Sequence, residues 1–431
     1  MTIVVIGGDA AGMSTASRIA RKRKDAQVIV FEKTDIVSYG ACGLPYYIGG
    51  TIEDPEELTL QTPESFYSRF RVDMKVHHEV TAIHPEKKTV SVRNLETGEE
   101  FEESYDKLIL SPGAKPTQPK LPGAGIDKLF TLRTVEDCFK IRNYVVEKKP
   151  KSAVLAGGGF ISLELAENLR ELGLEVTIVQ RPKQLMNPFD SDMAAYIHNQ
   201  MRRYGVKLAL GHTVEGFEEK DGGVDVLLKD AAPLHADMVV LAIGVSPDSR
   251  LAAEAGLELG IKGSIVVNDR METSVPDIYA VGDAVQVKNY VSGQDAVISL
   301  AGPANKQGRI AADNICGGDS RYPGSQGSSV LKLFDMTAAA TGLNETNAKK
   351  AGFDVDKVVL SPMSHAGYYP GGKVMTLKVV FEKGTYRLLG AQIVGYEGVD
   401  KRIDVLATAI HCGMKATELA TLDLAYAPPY S

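Results

Sequence analysis

The stretch Thr2-Ile-Val-Val-Ile-Gly-Gly-Asp-Ala-Ala-Gly12 decides the fold of this chain. Its first residues are mostly β-branched and predict a short buried strand, and the glycine-rich turn that follows leads into a helical pattern over about residues 13–24. A second strand pattern, Val28-Ile-Val-Phe31, ends at Glu32. A strand, a glycine turn, a helix, a strand and an acidic residue, in this order, are typical of a βαβ unit that binds a dinucleotide.

The glycine turn of this first unit departs from the usual G-x-G-x-x-G fingerprint, because Asp9 replaces the middle glycine. Glu32 nevertheless lies 20 residues beyond Gly12, which is the spacing at which a carboxylate reaches the hydroxyls of a ribose. We therefore predict that the unit binds a dinucleotide through Gly7, Asp9, Ala10, Ala11, Gly12 and Glu32.

A second copy of the pattern begins about 150 residues later, with the strand Ser152-Ala-Val-Leu-Ala156 and the turn Gly157-Gly-Gly159. Where an acid would select an unphosphorylated ribose, this copy carries Gln180-Arg181. A neutral residue does not repel a 2′-phosphate and a guanidinium pairs with one, so both NADPH and NADH remain open. The predicted contacts are Gly157, Gly159, Phe160, Ile161, Gln180, Arg181 and Gly244.

Composition excludes several classes of protein. A net charge of −7 argues against a general binder of nucleic acid or anionic membranes. The four cysteines are too widely separated for a secreted disulfide framework or a zinc site, and the eight histidines are scattered, so we predict no metal. No apolar run reaches the roughly 18–20 residues that span a bilayer. The start of the chain predicts a strand rather than a signal peptide, and we expect the protein to be located in a reducing cytoplasm.

A single cysteine lies in Ser38-Tyr-Gly-Ala-Cys-Gly-Leu-Pro-Tyr-Tyr47, just beyond the first βαβ unit. No second cysteine completes a CxxC or CxxxxC pair around Cys42. Two interpretations follow from the residues: a redox thiol whose disulfide partner comes from outside the chain, or a buried structural cysteine, which is the commoner fate of a free thiol.

The rest of the chain predicts the domain order. Apolar runs that end in glycine, Leu108–Gly113 and Val239–Gly244, are typical of crossings between domains, and Thr273–Asp283 predicts a strand ending in a carboxylate. From about Tyr322 strands alternate and no glycine fingerprint appears. We predict an α/β fold with two Rossmann-like dinucleotide-binding domains and a C-terminal α+β domain. The predicted ranges are 1–113 with 245–321, then 114–244, then 322–431.

These features together resemble the flavoprotein pyridine nucleotide-disulfide reductases over nearly the whole chain. The resemblance implies that the first domain binds FAD, that the second binds NAD(P)H, and that the last one forms a homodimer. It also implies that Asp283 contacts the flavin ribityl chain, that Glu32 contacts the adenosine ribose, and that Ser111-Pro-Gly113 lies near the flavin. The assigned FAD residues beyond the glycine turn are Glu32, Lys33, Val80, Ser111, Gly113 and Asp283.

Within this family, the motifs look most like the single-cysteine branch that reduces coenzyme A (CoA) disulfide, or CoA persulfide and polysulfide. The stretches that carry this likeness are Ser38–Tyr46, Gly159–Glu164, His365–Pro370 and Ala425–Tyr430. Ala41 departs from the Asn of some members. NADH oxidases and peroxidases with one cysteine carry a histidine where this chain has Ala10, which argues against a Cys42 sulfenic acid. A flavin redox sensor is the second alternative.

The resemblance implies that electrons pass from NAD(P)H through the flavin to a Cys42–S–S–CoA mixed disulfide, and that Cys42 then remains as a thiolate. We expect the N-terminus of a following helix to lower the pKa of Cys42. Tyr368 and Tyr426 match the tyrosines that the family sends from the partner subunit to stabilise the leaving thiolate, although interface packing is the alternative and Tyr369 is a neighbouring rival.

A basic face on the first helix suits the phosphates of CoA. Ser14, Arg18, Arg21 and Lys22 follow helical spacing and fall on one face. A solvated helix face is the alternative, and the resemblance favours a CoA site that includes Ser14, Arg18, Arg21, Ser38 and Thr62.

Overall fold

The computed structural model describes residues 1–117 and 119–430. Over these residues the helices, numbered α1 to α10 in chain order, are Ala10–Lys22, Leu44–Gly49, Pro63–Phe70, Val135–Lys148, Phe160–Glu171, Ser191–Arg203, Arg250–Glu254, Ala301–Ile315, Glu345–Lys350 and Val399–His411. Short 3₁₀ turns span Ala41–Gly43, Pro55–Leu58, Ile261–Gly263, Gly282–Ala284 and Ala416–Thr421.

The strands, numbered β1 to β26 in chain order, are Thr2–Ile6, Gln27–Phe31, Val72–Lys75, His78–His84, Thr89–Asn94, Glu100–Ser104, Lys107–Leu110, Ala114–Pro116, Leu129–Thr131, Ser152–Ala156, Glu175–Gln180, Lys207–Leu210, Val214–Lys220, Gly223–Leu228, Ala231–Ala236, Met238–Leu241, Val245–Pro247, Ile265–Val266, Ile278–Ala280, Val285–Lys288, Asp295–Ala296, Ser329–Leu333, Met336–Gly342, Val355–Leu360, Thr376–Glu382 and Leu388–Gly395.

The first sheet has the order β19-β7-β1-β2-β3 and all its strands are parallel. Ile3, Val4 and Val5 are fully buried, as expected of a central parallel strand that is covered on both faces. The predicted helix after the glycine turn begins earlier than the hydrophobic pattern indicates, at Ala10, because Asp9 serves as its N-cap residue.

The second sheet repeats this arrangement with the order β12-β11-β10-β16-β9, again parallel throughout. Strand β19 follows the second sheet in sequence yet belongs to the first one, so the chain leaves the first sheet and returns to it. The crossings pair with each other, since β8 and β17 form an antiparallel ladder from Ala114 to Pro116 and from Val245 to Pro247. This ladder supports the predicted domain bounds, which stay a prediction.

The C-terminal part contains an antiparallel sheet with the order β22-β23-β26-β25-β24. Helix α10 covers one face of this sheet through Val399, Ile403 and Leu406, which are buried. The edge strand β24 exposes Val358, Val359 and Leu360, and an apolar edge of this kind is typical of a surface that another protein covers. The predicted α/β class with two dinucleotide folds and a C-terminal α+β part is confirmed.

Within the described residues, no helix combines the length and the apolar character needed to cross a membrane. The same residues contain no group of three or more His, Cys, Asp and Glu side chains placed to hold a metal ion.

Candidate redox site

Most of the predicted cofactor residues lie at the carboxyl edges of the two parallel sheets, where open α/β sheets bind their ligands. At the first edge β1 leads into the Gly7–Gly12 turn, β2 into Glu32, β7 into Ser111, and β19 towards Asp283. The second edge carries the Gly157–Gly159 turn after β10 and Gln180-Arg181 at the end of β11. Because the strands of each sheet are parallel, each set of residues meets at one edge.

The first glycine turn is packed so closely that a side chain has no room. A Cβ at Gly12 would lie 2.0 Å from the Gly7 carbonyl oxygen and 2.5 Å from Ser111 Oγ. Ser111 Oγ donates to the Ile6 carbonyl at 2.7 Å, which ties β7 to the same turn. Helix α1 has no side-chain cap and no acid in its first turn, so its N-terminal amides suit a pyrophosphate. The residues present therefore fit a dinucleotide.

Glu32 is already hydrogen-bonded at the end of β2. It accepts from the Gly8 amide at 2.8 Å, from the Thr34 amide at 3.0 Å and from the Thr34 hydroxyl at 2.9 Å. The carboxylate is thus held beside the glycine turn, where a ribose would lie. Of the other predicted FAD contacts, Lys33 is exposed and Val80 is buried in the hydrophobic core. Val80 would therefore contact a cofactor only through its backbone.

Sequence reasoning missed Arg133. Its Nη2 donates to Asp283 Oδ2 at 2.7 Å and its Nε donates to the Ala114 carbonyl at 3.2 Å. Burial raises the pKa of Asp9 to about 6, and the positive charge of Arg133 counteracts part of this rise. Thr134 caps α4 by accepting from the Asp137 amide, and this capping pattern was a sequence signal that a helix begins directly after Arg133. Nothing local predicted that Arg133 would meet Asp283.

Cys42 lies between the two dinucleotide folds. It sits in the 3₁₀ turn before α2, and the preceding segment is fixed to the first glycine turn by the Ser38 amide, which donates to the Gly8 carbonyl at 2.8 Å. Helix α2 packs against the second fold instead, since Leu44 and Ile48 join the core of Leu163 and Leu165. Cys42 is therefore placed where electrons could pass from one fold to the other.

Helix α2 is also hydrogen-bonded to α4. Cys138 Sγ donates to the Leu44 carbonyl at 3.3 Å, and Arg142 Nη1 donates to the Ile48 carbonyl at 2.9 Å. A Cβ at Gly43 would lie 2.8 Å from Leu58 Cδ2, so Gly43 is needed for packing.

The prediction that the pKa of Cys42 is lowered is wrong, because the protein groups around this thiol raise its pKa. The residue is exposed, but protein atoms around the sulfur still disfavour the charged thiolate and raise its pKa. The carboxylates of Glu164 and Asp9 raise the pKa further, whereas Arg133 lowers it. Helix α2, whose N-terminus was expected to lower this pKa, has only six residues.

Removal of the Glu164 charge is expected to lower the pKa of Cys42. Burial raises the pKa of Glu164 to about 7, so this group is anionic at the higher pH where Cys42 titrates, and it opposes the thiolate. In Glu164→Gln, the rate of alkylation by iodoacetamide should reach half its maximum at a lower pH than in the parent protein. Glu171→Gln, an exposed change on the same helix, is the matched control and should leave the profile unchanged. An unshifted profile in Glu164→Gln would contradict this electrostatic account.

The second glycine turn is built like the first. Gly157 has a φ of +120°, and a Cβ there would lie 2.1 Å from the Ala242 carbonyl oxygen. Gly159 precedes α5 and its Cβ would meet nothing within 4 Å, which leaves open space before an uncapped helix N-terminus. Phe160 and Ile161 begin that helix, Gln180 is half-buried, and Arg181 and Gly244 are exposed. These residues fit a second dinucleotide.

The predicted CoA residues of α1 keep their helical spacing but contact different neighbours. Arg18 makes two 2.8 Å hydrogen bonds to Asp313 on α8, and Lys22 pairs with the same carboxylate. Arg21 instead lies over the Phe70 ring, 5.5 Å from its centroid. Ser14 is hydrogen-bonded to Asn305 on α8. Two cations thus form part of the α1–α8 contact, and Arg21 faces a different neighbour.

The remaining predicted CoA residues shape the backbone. Thr62 caps α3 by accepting from the Ser65 amide at 3.3 Å, and Ser38 has a φ of +51°.

In the C-terminal part of the chain, the hydroxyls of Tyr368 and Tyr426 are hydrogen-bonded to each other at 2.8 Å. These tyrosines are 75% and 65% exposed, so neither is packed into its own subunit. The roles of all these residues stay predictions.

The whole chain belongs to the pyridine nucleotide-disulphide oxidoreductases, as its motifs predict. The model of that family matches residues 1–308, and the model of its dimerisation domain matches residues 328–431. The protein is therefore an oxidoreductase with a dimerisation domain.

Individual members of this family are similar to the chain over its full length. The coenzyme A disulfide reductase of Staphylococcus aureus (strain JH9) is 37% identical over 430 residues, covering 100% of this chain and 96% of that protein. The crystal structure of reduced Bacillus anthracis CoADR-RHD has a TM-score of 0.97 at 47% identity, covering 100% of this chain and 77% of that one. A NAD-dependent persulfide reductase from A. fulgidus has a TM-score of 0.97 at 40% identity, with coverage of 100% and 80%.

Proposed function

We propose that this protein is a FAD-dependent NAD(P)H oxidoreductase that reduces CoA disulfide or CoA persulfide and polysulfide through Cys42. The observation that carries the proposal is the position of Cys42, an exposed free cysteine at the junction of two dinucleotide folds. The similarity to coenzyme A disulfide reductase and to persulfide reductase supports the choice of substrate. A reducing cytoplasm, which keeps cysteines free, is the proposed location.

In the first step the Cys42 thiolate attacks one sulfur of CoA disulfide. A bond forms between Cys42 Sγ and that sulfur, and the other CoA leaves as a thiolate that takes up a proton. CoA persulfide attacked at its inner sulfur gives the same mixed disulfide and releases hydrosulfide. Two electrons then cleave the mixed disulfide, so that CoA departs and the Cys42 thiolate is regenerated. FAD, when bound, supplies the path for these electrons from the nicotinamide to the sulfur.

The residues around Cys42 are suited to these steps. Gly7–Gly12, Glu32, Ser111, Gly113 and Asp283 would hold the FAD, with Arg133 beside Asp283. Gly157–Ile161 and Gln180-Arg181 would hold the NAD(P)H. Glu164 and Asp9 oppose a thiolate at Cys42, so the attacking form depends on stabilisation from a bound group or from the substrate.

Ser14, Arg18, Arg21, Ser38 and Thr62 remain the proposed CoA residues. Of these, Arg21 is exposed on α1. Arg18 would have to share its guanidinium between Asp313 and a phosphate, because its Nε and Nη2 already donate to that carboxylate. A guanidinium carries five N–H donors, so this sharing is chemically possible.

We further propose a homodimer in which the C-terminal part of one subunit completes the site of the other. The exposed Tyr368 and Tyr426 and the apolar edge of β24 support this arrangement. A phenol stays protonated at neutral pH and donates to a developing thiolate. The hydrogen bond between the two hydroxyls sets their relative position and raises the pKa of Tyr368.

Anaerobic turnover with purified protein tests the proposed function. With CoA disulfide as acceptor, we expect two CoA thiols for each NAD(P)H oxidised. Rapid NAD(P)H oxidation that requires oxygen and consumes it in proportion would favour an NADH oxidase instead. Cys42 oxidation without steady-state turnover would favour a redox sensor. Parallel assays with CoA disulfide and CoA persulfide compare kcat/KM and so decide between the two substrates.

Tyr426→Phe is expected to slow the reduction of CoA disulfide about 10–100-fold, because a hydrogen bond to a charged group contributes roughly 1.5–3 kcal/mol. FAD content should stay unchanged. Tyr386→Phe, which alters another exposed tyrosine of the same domain, is the matched control and should retain full turnover. Full turnover in Tyr426→Phe would assign this side chain to interface packing.

A further inference from the structure

The segment between β11 and α6, residues 181–190, is named here the cofactor loop because it begins with Arg181 and folds over the second glycine turn. The Met186 amide donates to the Gly158 carbonyl at 2.8 Å, and a Cβ at Gly158 would lie 2.7 Å from Leu185 Cδ2. Met186 has a φ of +55°, which is unusual for a residue with a side chain. The loop therefore holds a specific conformation against the turn.

The middle of the cofactor loop is secured within its own domain. The Leu185 amide donates to His198 Nε2 at 3.0 Å, and Gln184 Nε2 donates to the Phe189 carbonyl at 2.9 Å. Leu185, Met186 and Phe189 are fully buried. These contacts fix the backbone that follows Arg181.

The far end of the loop is bound to the C-terminal part of the chain. The Asp190 amide donates to Gln392 Oε1 at 2.7 Å, and Gln392 Nε2 donates back to Asp190 Oδ2 at 2.7 Å. The Glu345 amide, at the start of α9, donates to Asp190 Oδ2 at 3.1 Å. Three residues earlier in the loop, the Asn187 carbonyl accepts a hydrogen bond from Asn344 Nδ2 at 3.0 Å.

A buried lysine lies at the centre of this end. The side chain of Lys378, on β25, is 1% exposed, and its Nζ is 3.0 Å from Asp190 Oδ2 and 2.9 Å from Asp192 Oδ2. Glu345 Oε2 lies 3.8 Å away and also pairs with Lys357. Lys357 is the largest cause that lowers the pKa of Glu345 to about 2, so this acid is charged at neutral pH.

Burying Lys378 together with these carboxylates costs free energy. Removing charges from water offsets much of the attraction between them, so apolar contacts would join the two domains at least as strongly. We therefore attribute this buried network to the geometry that it specifies rather than to stability. Here it specifies the position of a loop whose other end packs on the second glycine turn.

We propose that Lys378 is a positioning residue, which holds the cofactor loop over the second glycine turn and so tunes the affinity for the ribose phosphate end of NAD(P)H. The C-terminal domain thereby contributes to cofactor binding without touching the cofactor. This inference rests on the proposed function of that turn as the NAD(P)H site.

The test compares Lys378→Met with the parent holoenzyme. We expect the Kd of NADP⁺, measured by isothermal titration calorimetry, and the KM of NADPH to rise about 5–20-fold, with kcat at saturating NADPH within two-fold and FAD content unchanged. Lys378→Arg should restore most of the affinity. Lys332→Met removes an ion pair with Glu167 across the same two domains and is the matched control. It should lower Tm without a change in Kd.

An unchanged Kd in folded Lys378→Met would overturn the inference, and so would an equal rise in Lys332→Met. If Lys378→Met does not fold, Asp192→Asn decides, because the Asp192 side chain is half-exposed. A two- to three-fold rise in Kd then supports the inference and no rise overturns it. Ferricyanide, as an artificial electron acceptor, separates the two proposals: no NAD(P)H-dependent reduction in the parent protein would refute the function, whereas reduction with unchanged Kd values refutes the role of Lys378 alone.

Discussion

Cys42→Ser should abolish the NAD(P)H-dependent reduction of CoA disulfide, with kcat falling at least roughly 10³-fold, as for loss of other catalytic nucleophiles. A serine hydroxyl does not form a mixed disulfide and is not deprotonated at neutral pH. The substitution changes one atom in an exposed 3₁₀ turn, so we expect no change in Tm or in FAD content. Steady-state NAD(P)H oxidation with CoA disulfide measures the effect.

Cys412→Ser is the matched control for this change, because Cys412 is the other exposed free cysteine among the described residues. Its turnover should equal that of the parent protein. Ferricyanide reduction by NAD(P)H should survive in Cys42→Ser, which would show that the loss lies in the thiol step. Turnover of CoA disulfide by Cys42→Ser within ten-fold of the parent would remove Cys42 from the mechanism.

The second large effect is expected from Gly12→Ala. The new methyl group would lie 2.0 Å from the Gly7 carbonyl oxygen, which is backbone and cannot turn aside. Helix α1 would have to move away from β1, and the amides at its N-terminus would move with it. Overpacking of this kind costs about 1–3 kcal/mol or more, and we expect the purified variant to hold less than about a tenth of the normal FAD.

Flavin absorbance per protein and thermal unfolding measure this effect. Gly125→Ala is the control, because a Cβ there meets nothing within 4 Å and the residue lies at the surface of the second fold. Its FAD content and Tm should match those of the parent. Normal FAD content in Gly12→Ala would mean that the first turn does not bind the pyrophosphate as proposed.

The sequence predicted the two dinucleotide folds because their signals are local. A β-branched run, a glycine turn and an acid lie within 31 residues, from Thr2 to Glu32, and the period of the hydrophobic pattern changes inside that span. Strands were also predicted from about Tyr322 onward, where the structure contains β22 to β26. Fold class could therefore be predicted almost completely.

Interactions between distant residues could not be predicted in this way. Helical spacing placed Arg18, Arg21 and Lys22 on one face, but Asp313 lies 295 residues beyond Arg18 and draws two of the three cations to α8. The pKa of Cys42 depends on Glu164, which belongs to the other fold. Arg133 meets Asp283 through an interval of 150 residues. Each of these pairs depends on how elements that are distant in sequence pack together.

The anchoring of the cofactor loop could not be predicted from a local motif either, because its partners are distant in sequence. Lys378 lies on a strand whose pattern predicts only a buried face, and its charge is explained by Asp190 and Asp192, 188 and 186 residues earlier. Tyr368 and Tyr426 are likewise 58 residues apart, yet their hydroxyls meet. Sequence identified these tyrosines through family resemblance, whereas their contact required the fold.

Mass spectrometry of Cys42 tests the central claim most directly. Any adduct already on Cys42 is first removed with a thiol reductant without oxygen, and the protein, with its flavin oxidised, is then separated from the reductant and mixed with one equivalent of CoA disulfide. We predict an adduct with the mass of CoA on the peptide that contains Cys42, lost on treatment with a thiol reductant and matched by one released CoA per site. An unmodified Cys42 thiol, or an adduct confined to Cys412, would contradict the proposed mechanism.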